Sequence, residues 1–398
     1  MRVLRVTAYF APAWVYGGPP RSILESCKGL LDLGEEVRVL TTTANGRTEL
    51  DVPVGVPVDV EGVQTWYWPR RPPRRAFHSP ALYRAVRDQI GQFDVVQCHA
   101  TMLPLGVVVR KAAERARVPY LVTPHGVLDP VVLRRGRLRK ALFWRVWERA
   151  NFAHAAAVVA LTEEERRQVL RLAPECRVSV APNGQPTPDL ADVPPRSALQ
   201  EVSPELSDRP YVLFLGRINW KKGLDLLLPA FARILPSCPE WRLVLAGPDG
   251  GGAGAIVDGL VRRLGLGERV LMPGLVDGRL KAALLGNADV FCLPSYSEGL
   301  PTSAIEALML ARPVVLSEGC HMPEVRDCGA GWVVEASVDG VAEGLREAME
   351  NVEERKARGA RGRRLAIERF SRQATAERLR ELYRRCIASR SGGEIDGG

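Results

Sequence analysis

Short apolar, β-branched runs alternate with helix-length amphipathic stretches along the whole chain, and this alternation restricts the fold more than any other feature. It is the pattern of βα units built around parallel sheets. Strands are expected at 2–8, 36–42, 93–98, 119–123, 155–160 and 176–180, and again at 211–215, 242–246, 289–293 and 313–316. Between the two series, residues 185–208 carry five prolines and no apolar periodicity, as expected of an interdomain linker. The reading is therefore α/β, with two doubly wound domains at 1–184 and 209–370 and a helix at 371–390. That helix either ends the second domain or crosses back to the first. The final SGGEIDGG, 391–398, is expected to be unstructured. Doubly wound domains bind ligands beyond the carboxyl ends of their strands, so the site is expected in a cleft between the two.

A chain of 398 residues is long for one core and suits two domains, and 46% hydrophobic against 25% charged residues suits a folded body. The eight cysteines are scattered, with no CxxC pair and no metal-ligand spacing, which indicates neither a disulfide framework nor a zinc site. MRVLRVTAYF runs directly into a strand pattern without the marks of a signal peptide, and no apolar run has the length of a membrane span. A cytoplasmic location is expected. The net charge of +9 falls entirely within residues 1–190, a field that suits an anionic partner: membrane headgroups, a phosphate-bearing acceptor or nucleic acid.

Four segments carry chemistry. In LPSYSEGLPTSAIEALMLARPVVL, 293–316, a strand ends at Leu293 and a helix is expected to open at Pro301, because proline suits a first helical position. Glu298 then lies in the loop and Glu306 within the helix, with the N–H groups of Gly299 and Leu300 near a helix start where phosphate binds well. On spacing alone the carboxylates either hold sugar hydroxyls beside a diphosphate or are a cap and a surface group. In LGRINWKKGLDL, 215–226, Arg217, Lys221 and Lys222 precede Gly223. Fixed cations there would stabilise a diphosphate as it leaves; the alternative is a solvated basic loop. Gly17 and Gly18 in the first βα turn either admit a ligand to the backbone or make a tight turn. His125, in TPHG after a strand end, can donate to a sugar hydroxyl, and His99 at another strand end is either an acceptor-side contact or core. The glycine run GPDGGGAG, 247–254, lacks the acidic residue of a dinucleotide fingerprint and reads as a loop near a nucleotide. No D-x-D triplet occurs, and Arg217, Lys222 and the helix end before Ala304 can meet the diphosphate charge, so no metal is expected.

EGLPTSAIE, with the surrounding PSYSEGLP and ARPVV, resembles the E-x7-E element of retaining glycosyltransferase family 4, and GRINWKKG is similar to that family's G-R-x4-K-G element. The resemblance covers about 205–335 most strongly and 1–185 less so. It implies the GT-B fold, two Rossmann-like domains facing a cleft, and transfer of a hexosyl group from a nucleotide-diphosphate sugar with retention of configuration and without metal or other cofactor. It assigns Glu298 to the transferred sugar, Glu306 to the ribose, Arg217 and Lys222 to the diphosphate, and Gly17, Gly18, Gly299 and Leu300 to the donor side. It puts His125 beside the reacting carbon; Arg21 and, unless it is core, His99 are read as acceptor-side candidates. It also implies that the FSRQATAERLRELY helix packs back on the first domain. Asn183-Gly184 matches the family's PNG turn, but Gln185-Pro186 departs from what usually follows. The implied acceptor is a saccharide or lipid-linked species in bacterial cell-surface polysaccharide assembly.

Two rivals remain open at this level. A nucleotide-sugar epimerase can share the GT-B architecture, but needs acid and base groups on both sides of one sugar carbon. A nucleic-acid partner is not expected, because no helix-turn-helix, RRM or OB signature is present. Residues 133–150, LRRGRLRKALFWRVWERA, combine seven basic residues with Leu138, Leu142, Val146 and three aromatics on a broad helical face. That face is either core or the membrane-lying side of an amphipathic helix, giving peripheral attachment to the inner face of an anionic membrane.

Overall fold

The computed structural model describes residues 1–134 and 136–391. Ser391 closes the last helix, and the rest of the tail expected to be unstructured, 392–398, lies outside the described residues, as does Arg135. The chain divides into two compact units: one of Met1–Pro186 together with the helix that follows Ser371, the other of Thr187–Phe370.

The first unit holds β1 (Arg2–Thr7), β2 (Glu36–Thr42), a small pair β3 (Ala44–Asn45) and β4 (Thr48–Glu49), β5 (Pro57–Val60), β6 (Val63–Trp68), β7 (Val95–His99), β8 (Tyr120–Val122), β9 (Ala157–Ala160) and β10 (Val178–Val180). Eight of these form one sheet in the order β10-β9-β8-β7-β1-β2-β6-β5, parallel except where β5 runs against β6. The second unit holds β11 (Tyr211–Leu215), β12 (Arg242–Ala246), β13 (Val270–Gly274), β14 (Val290–Leu293), β15 (Val314–Ser317) and β16 (Gly331–Val334), all parallel in the order β13-β12-β11-β14-β15-β16. Helices cover both faces, so the central strands are buried throughout: every residue of β11, β12, β14 and β15 is buried. Each buried Leu, Val or Phe contributes about 1.5–3 kcal/mol, which explains the near-continuous apolar runs. The strand order reverses between β1 and β7 and between β11 and β14, the switch points beyond which such sheets bind ligands.

Besides the small β3–β4 pair, strands β5, β6, β13 and β16 fall outside the expected set. All lie towards sheet edges, where apolar runs are diluted: β13 contains Pro273 and Gly274 and is half-buried for most of its length, and β5 is nowhere fully buried. A larger correction concerns residues 185–208, which are not a free linker. Beyond Thr187 they form short 3₁₀ turns of the second unit, with Leu199 and Leu206 fully buried in its core and Arg196 paired to Asp289 at 3.1 Å. Prolines here shape turns that hold apolar anchors.

The helix Arg372–Ser391 belongs to the first unit. Its Ala376, Leu379, Leu382 and Tyr383 join Ile23, Leu24, Cys27 and Leu30 of the helix Gly18–Asp32 in one core. Arg372 pairs with Glu25 at 2.6 Å, its N–H donates to the Gln185 carbonyl, and Thr375 Oγ1 donates to the Pro182 carbonyl at 3.0 Å. The Asn183-Gly184 turn thus lies against the start of this helix.

Residues 133–150 are not one helix. Helical turns Pro130–Arg134 and Arg137–Phe143 are followed by a π turn, Trp144–Glu148, and by Arg149–Ala153. The core alternative is overturned for Leu138, 86% exposed, Leu142, 63%, Val146, 50%, and Trp147, 45%, whereas Trp144 is half-buried and packs against the core of the first unit. The π turn instead buries Glu148, whose carboxylate accepts from the Met102 N–H at 2.8 Å and from Asn151 at 3.0 Å.

The contact between the two helices of the first unit depends on Gly29, where a Cβ would lie 2.8 Å from the Ala376 Cβ and 2.9 Å from the Arg372 carbonyl oxygen. Gly29→Val is expected to cost about 1–3 kcal/mol by overpacking, read as a lower urea midpoint. An unchanged midpoint would show that the helix does not dock at this position.

Candidate functional site

The candidate residues gather at the carboxyl ends of strands beside the switch point of each sheet. In the second unit the loop after β11 tightens into a 3₁₀ turn, Trp220–Lys222, where the Asn219 side chain accepts from the Lys221 N–H at 2.9 Å. Gly223 has φ +67°, and a Cβ there would lie 2.0 Å from the Pro294 carbonyl oxygen. Only glycine permits that approach. Tyr296 N–H then donates to the Lys221 carbonyl at 2.8 Å, fastening the loops after β11 and β14 together. Lys222 Nζ in consequence meets Glu298 Oε1 at 2.6 Å, and Ser295 Oγ donates to the same oxygen at 2.6 Å. The Glu298 N–H is held by the Gly319 carbonyl at 2.8 Å.

The helix expected to open at Pro301 runs Thr302–Met309, with Pro301 as its N-cap, so Gly299 and Leu300 stand in the half-buried loop before it. Glu306 accepts from Lys281 Nζ at 2.7 Å. Arg217 is exposed in the β11 loop, and the glycine run packs beside it: Gly250 N–H donates to the Ile218 carbonyl, and a Cβ on Gly247 would lie 1.9 Å from the Gly216 oxygen. This unit therefore holds Arg217, Lys222 and Glu298 on the loops after β11 and β14 and Glu306 on the helix that follows, with each carboxylate paired to a lysine.

In the first unit, Gly17 takes φ +84° and separates the 3₁₀ turn Trp14–Tyr16 from the helix that Gly18 opens. Arg21 is exposed, its guanidinium 4.9 Å from the centroid of the Trp14 ring. Beyond β7 and β8, His99 Nδ1 and His125 Nε2 are 2.8 Å apart, and the Arg5 guanidinium lies 3.0 Å from His99 Nε2. His99 is thus neither simple core nor isolated. Burial, then His125 and then Arg5, hold its imidazole well below the ordinary range; burial, then Arg5, brings His125 down to about 4. His125 itself has φ +55°, a strained conformation for a non-glycine residue of the kind that gathers at functional sites. Its loop is pinned by the buried Glu165, which accepts from the Gly126 N–H at 2.5 Å and the Leu161 N–H at 2.7 Å.

Sequence reasoning passed over Ser295, Lys281, Glu165 and Arg5. Ser295 lay inside a recognised segment and Arg5 was legible as a charge within an apolar strand. Lys281 and Glu165 sit in ordinary amphipathic helices that give no local sign.

The profile of the family described as Glycosyl transferases group 1 matches residues 195–365, and that of a Glycosyl transferase 4-like domain matches 17–184. The D-inositol 3-phosphate glycosyltransferase of Kineococcus radiotolerans is 31% identical over 339 residues, 79% of this chain and 77% of its own. That of Xylanimonas cellulosilytica is 30% identical over 389 residues, 92% and 91% of the two chains. Among solved structures, HepE of Anabaena in complex with UDP and glucose has a TM-score of 0.75 at 18% identity, covering 97% of this chain and 100% of its own. Sucrose-phosphate synthase of Thermosynechococcus elongatus has 0.78 at 21%, covering 98% and 100%. At such identities the two structures speak for the fold alone.

Gly223→Ala combines a positive φ with a steric overlap on backbone and is expected to destabilise by about 2–4 kcal/mol. A wild-type urea midpoint would show that the approach of the two loops is not what Gly223 serves.

Proposed function

The chain belongs to the group 1 glycosyl transferases and has their GT-B fold, and from that footing we propose that it moves a hexosyl group from a nucleotide-diphosphate sugar to a phosphate-bearing acceptor. The observation that carries the proposal is the Lys222–Glu298 contact, which joins two separate motifs at the carboxyl ends of β11 and β14. In this reading Arg217 and Lys222 hold the diphosphate, Glu298 the transferred sugar and Glu306 the ribose, with Gly17, Gly18, Gly299 and Leu300 along the donor. His125 lies beside the reacting carbon, with His99 and Arg21 towards the acceptor. The diphosphate charge is met by the two cations and the start of the helix Thr302–Met309, so the transfer proceeds without a metal.

The reaction retains configuration through attack on the face from which the diphosphate leaves, with the leaving phosphate taking the acceptor's proton. In keeping with this, Oε1 of Glu298 is occupied by donors from Lys222 and Ser295 and is not free to attack the sugar carbon. The acceptor's phosphate is suggested by the basic excess of residues 1–190 and by the relatives named for D-inositol 3-phosphate; a polysaccharide-assembly acceptor shares that chemistry when it is a lipid-linked phosphate. Family membership does not favour the epimerase alternative.

Lys222→Ala is expected to lower turnover about 10²–10³-fold while the fold is retained, measured as nucleoside diphosphate release in the presence of acceptor. Near wild-type turnover would remove Lys222 from the mechanism. Incubation of the wild type with UDP- and GDP-sugars alone is expected to leave the donor's sugar unchanged; an epimerised donor would support the rival.

A second feature favours peripheral attachment to an anionic lipid surface. Among the described residues, no helix is long and apolar enough to cross a membrane. Leu138, Leu142, Val146 and Trp147 nevertheless stand exposed beside exposed Arg134, Arg137, Arg139 and Arg145. Basic side chains near such a surface contribute roughly 1 kcal/mol each, and the apolar residues enter the headgroup region. Binding to vesicles with anionic lipid is expected at low salt, weakened at high salt and by Leu142→Glu/Trp147→Glu. Equal, negligible co-sedimentation with neutral and anionic vesicles at both salt concentrations would refute attachment and leave the transferase reading untouched.

A further inference from the structure

Arg5 is an anomaly within β1: fully buried at the centre of the sheet, it has no carboxylate among its described partners. Its Nη1 donates to Gln97 Oε1 and lies 3.0 Å from His99 Nε2, and its guanidinium carbon sits 5.8 Å from the centroid of the Tyr383 ring. Tyr383 Oη also donates to Gln97 Oε1, and Gln97 Nε2 donates to Thr123 Oγ1 at 2.5 Å. The surroundings fix the direction of every bond. A guanidinium has donors and no acceptor, so His99 Nε2 must be the acceptor and carry no proton. Neutral His99 then bears its proton on Nδ1 and donates it to His125 Nε2, 2.8 Å away. With Nε2 accepting, the proton of neutral His125 is left on Nδ1. That ring is half-buried, and Nδ1 is covered and has no hydrogen-bond partner among the described residues.

We propose that Arg5 and His99 are positioning residues that lock His125 as its Nδ1–H tautomer, so that its Nε2 lone pair is taken by His99, its covered and unpartnered Nδ1–H is left as its one free donor, and it does not act as the base of the transfer. The inference rests on the proposed transferase reading for its functional half; the tautomer chain stands on the geometry of the first unit alone. A donor at this position suits an oxygen that gains negative charge, such as a sugar hydroxyl or a phosphate oxygen. It also leaves proton removal from the acceptor to the leaving phosphate. Neutral imidazoles suit the role, because a second and third positive charge beside Arg5 would be strongly disfavoured in so buried a setting.

The test is imidazole nitrogen NMR on the wild-type full-length protein labelled at its five histidines, with His125 and His99 assigned by single variants. Both are expected as neutral Nδ1–H rings at neutral pH, and this measurement needs no substrate or assay. An Nε2–H ring or an imidazolium at His125 overturns the proposal even if sugar transfer is demonstrated. Two variants then read the functional half. In His99→Gln the amide supplies an acceptor for Arg5 and a donor for His125, whereas His99→Met fills similar space with neither. His99→Gln is expected to keep the His125 tautomer and to turn over about tenfold faster than His99→Met, in kcat rather than KM. Equal turnover of the two, with the wild-type tautomers as expected, would show that the relay is structural only. Failure of every enzyme, wild type included, to transfer sugar would count against the transferase reading and not against the tautomers.

Discussion

The structure depends on the burial of both faces of two parallel sheets. A strand covered by helices on either side cannot carry polar side chains along its length without leaving them unpaired, at about 1–3 kcal/mol for each unsatisfied group. Polar chemistry is therefore driven to the strand ends, and the reversal of strand order at β1/β7 and β11/β14 concentrates it there. Lys222 and Glu298 follow β11 and β14, His99 ends β7, and His125 follows β8, the next strand over. Arg5 shows the rule's cost: a charge kept inside β1 whose Nη1 meets a glutamine and an imidazole and whose guanidinium lies near an aromatic ring, while its Nε and Nη2 are buried without a hydrogen-bond partner among the described residues.

Glycine decides how close the loops at those ends come. Gly223 lets the β11 loop touch the Pro294 carbonyl, and Gly319, where a Cβ would lie 2.4 Å from the Ser295 oxygen, closes the β14 loop from the other side. Glu298 is thereby gripped through its own N–H and through Oε1. Side chains as flexible as lysine and glutamate lose rotamer freedom when fixed, and a backbone set in advance by such contacts limits how much ordering is left for ligand binding.

Much of this was legible in the chain because the signals were local. The apolar runs of β1, β2, β7, β11, β12, β14 and β15 mark strands that are buried over all or most of their length, and the two basic and acidic motifs sit where strand, loop and helix follow in short order. What escaped notice was non-local. The turns of 187–208 looked like a linker because proline density was read without seeing that Leu199 and Leu206 had a core to enter. The partner of Glu306 is Lys281, 25 residues earlier on another helix, and nothing in local spacing joins them. Similarly, Leu138, Leu142 and Val146 keep ordinary core spacing, yet the π turn at Trp144–Glu148 shifts the helical phase so that Glu148 turns inward and those apolar residues face out.

That phase shift ties surface to site in the first unit. The inward Glu148 receives the Met102 N–H, which lies three residues beyond His99, while the burial that raises its carboxyl to about 7 is offset in part by that bond and by the one from Asn151. Glu165 does the same for Gly126, one residue beyond His125. Each histidine loop is thus fixed by a buried carboxylate from a helix that contributes nothing else to the site, and neither carboxylate stands near Arg5 as a counter-ion. The arrangement separates two tasks: acids hold the backbone of the loops, and the buried Arg5 orders the protons on the rings. Burial is the main reason both imidazoles stay neutral and Arg5 adds to it, so an acid placed beside Arg5 would remove that addition and compete with His99 for the guanidinium's donors.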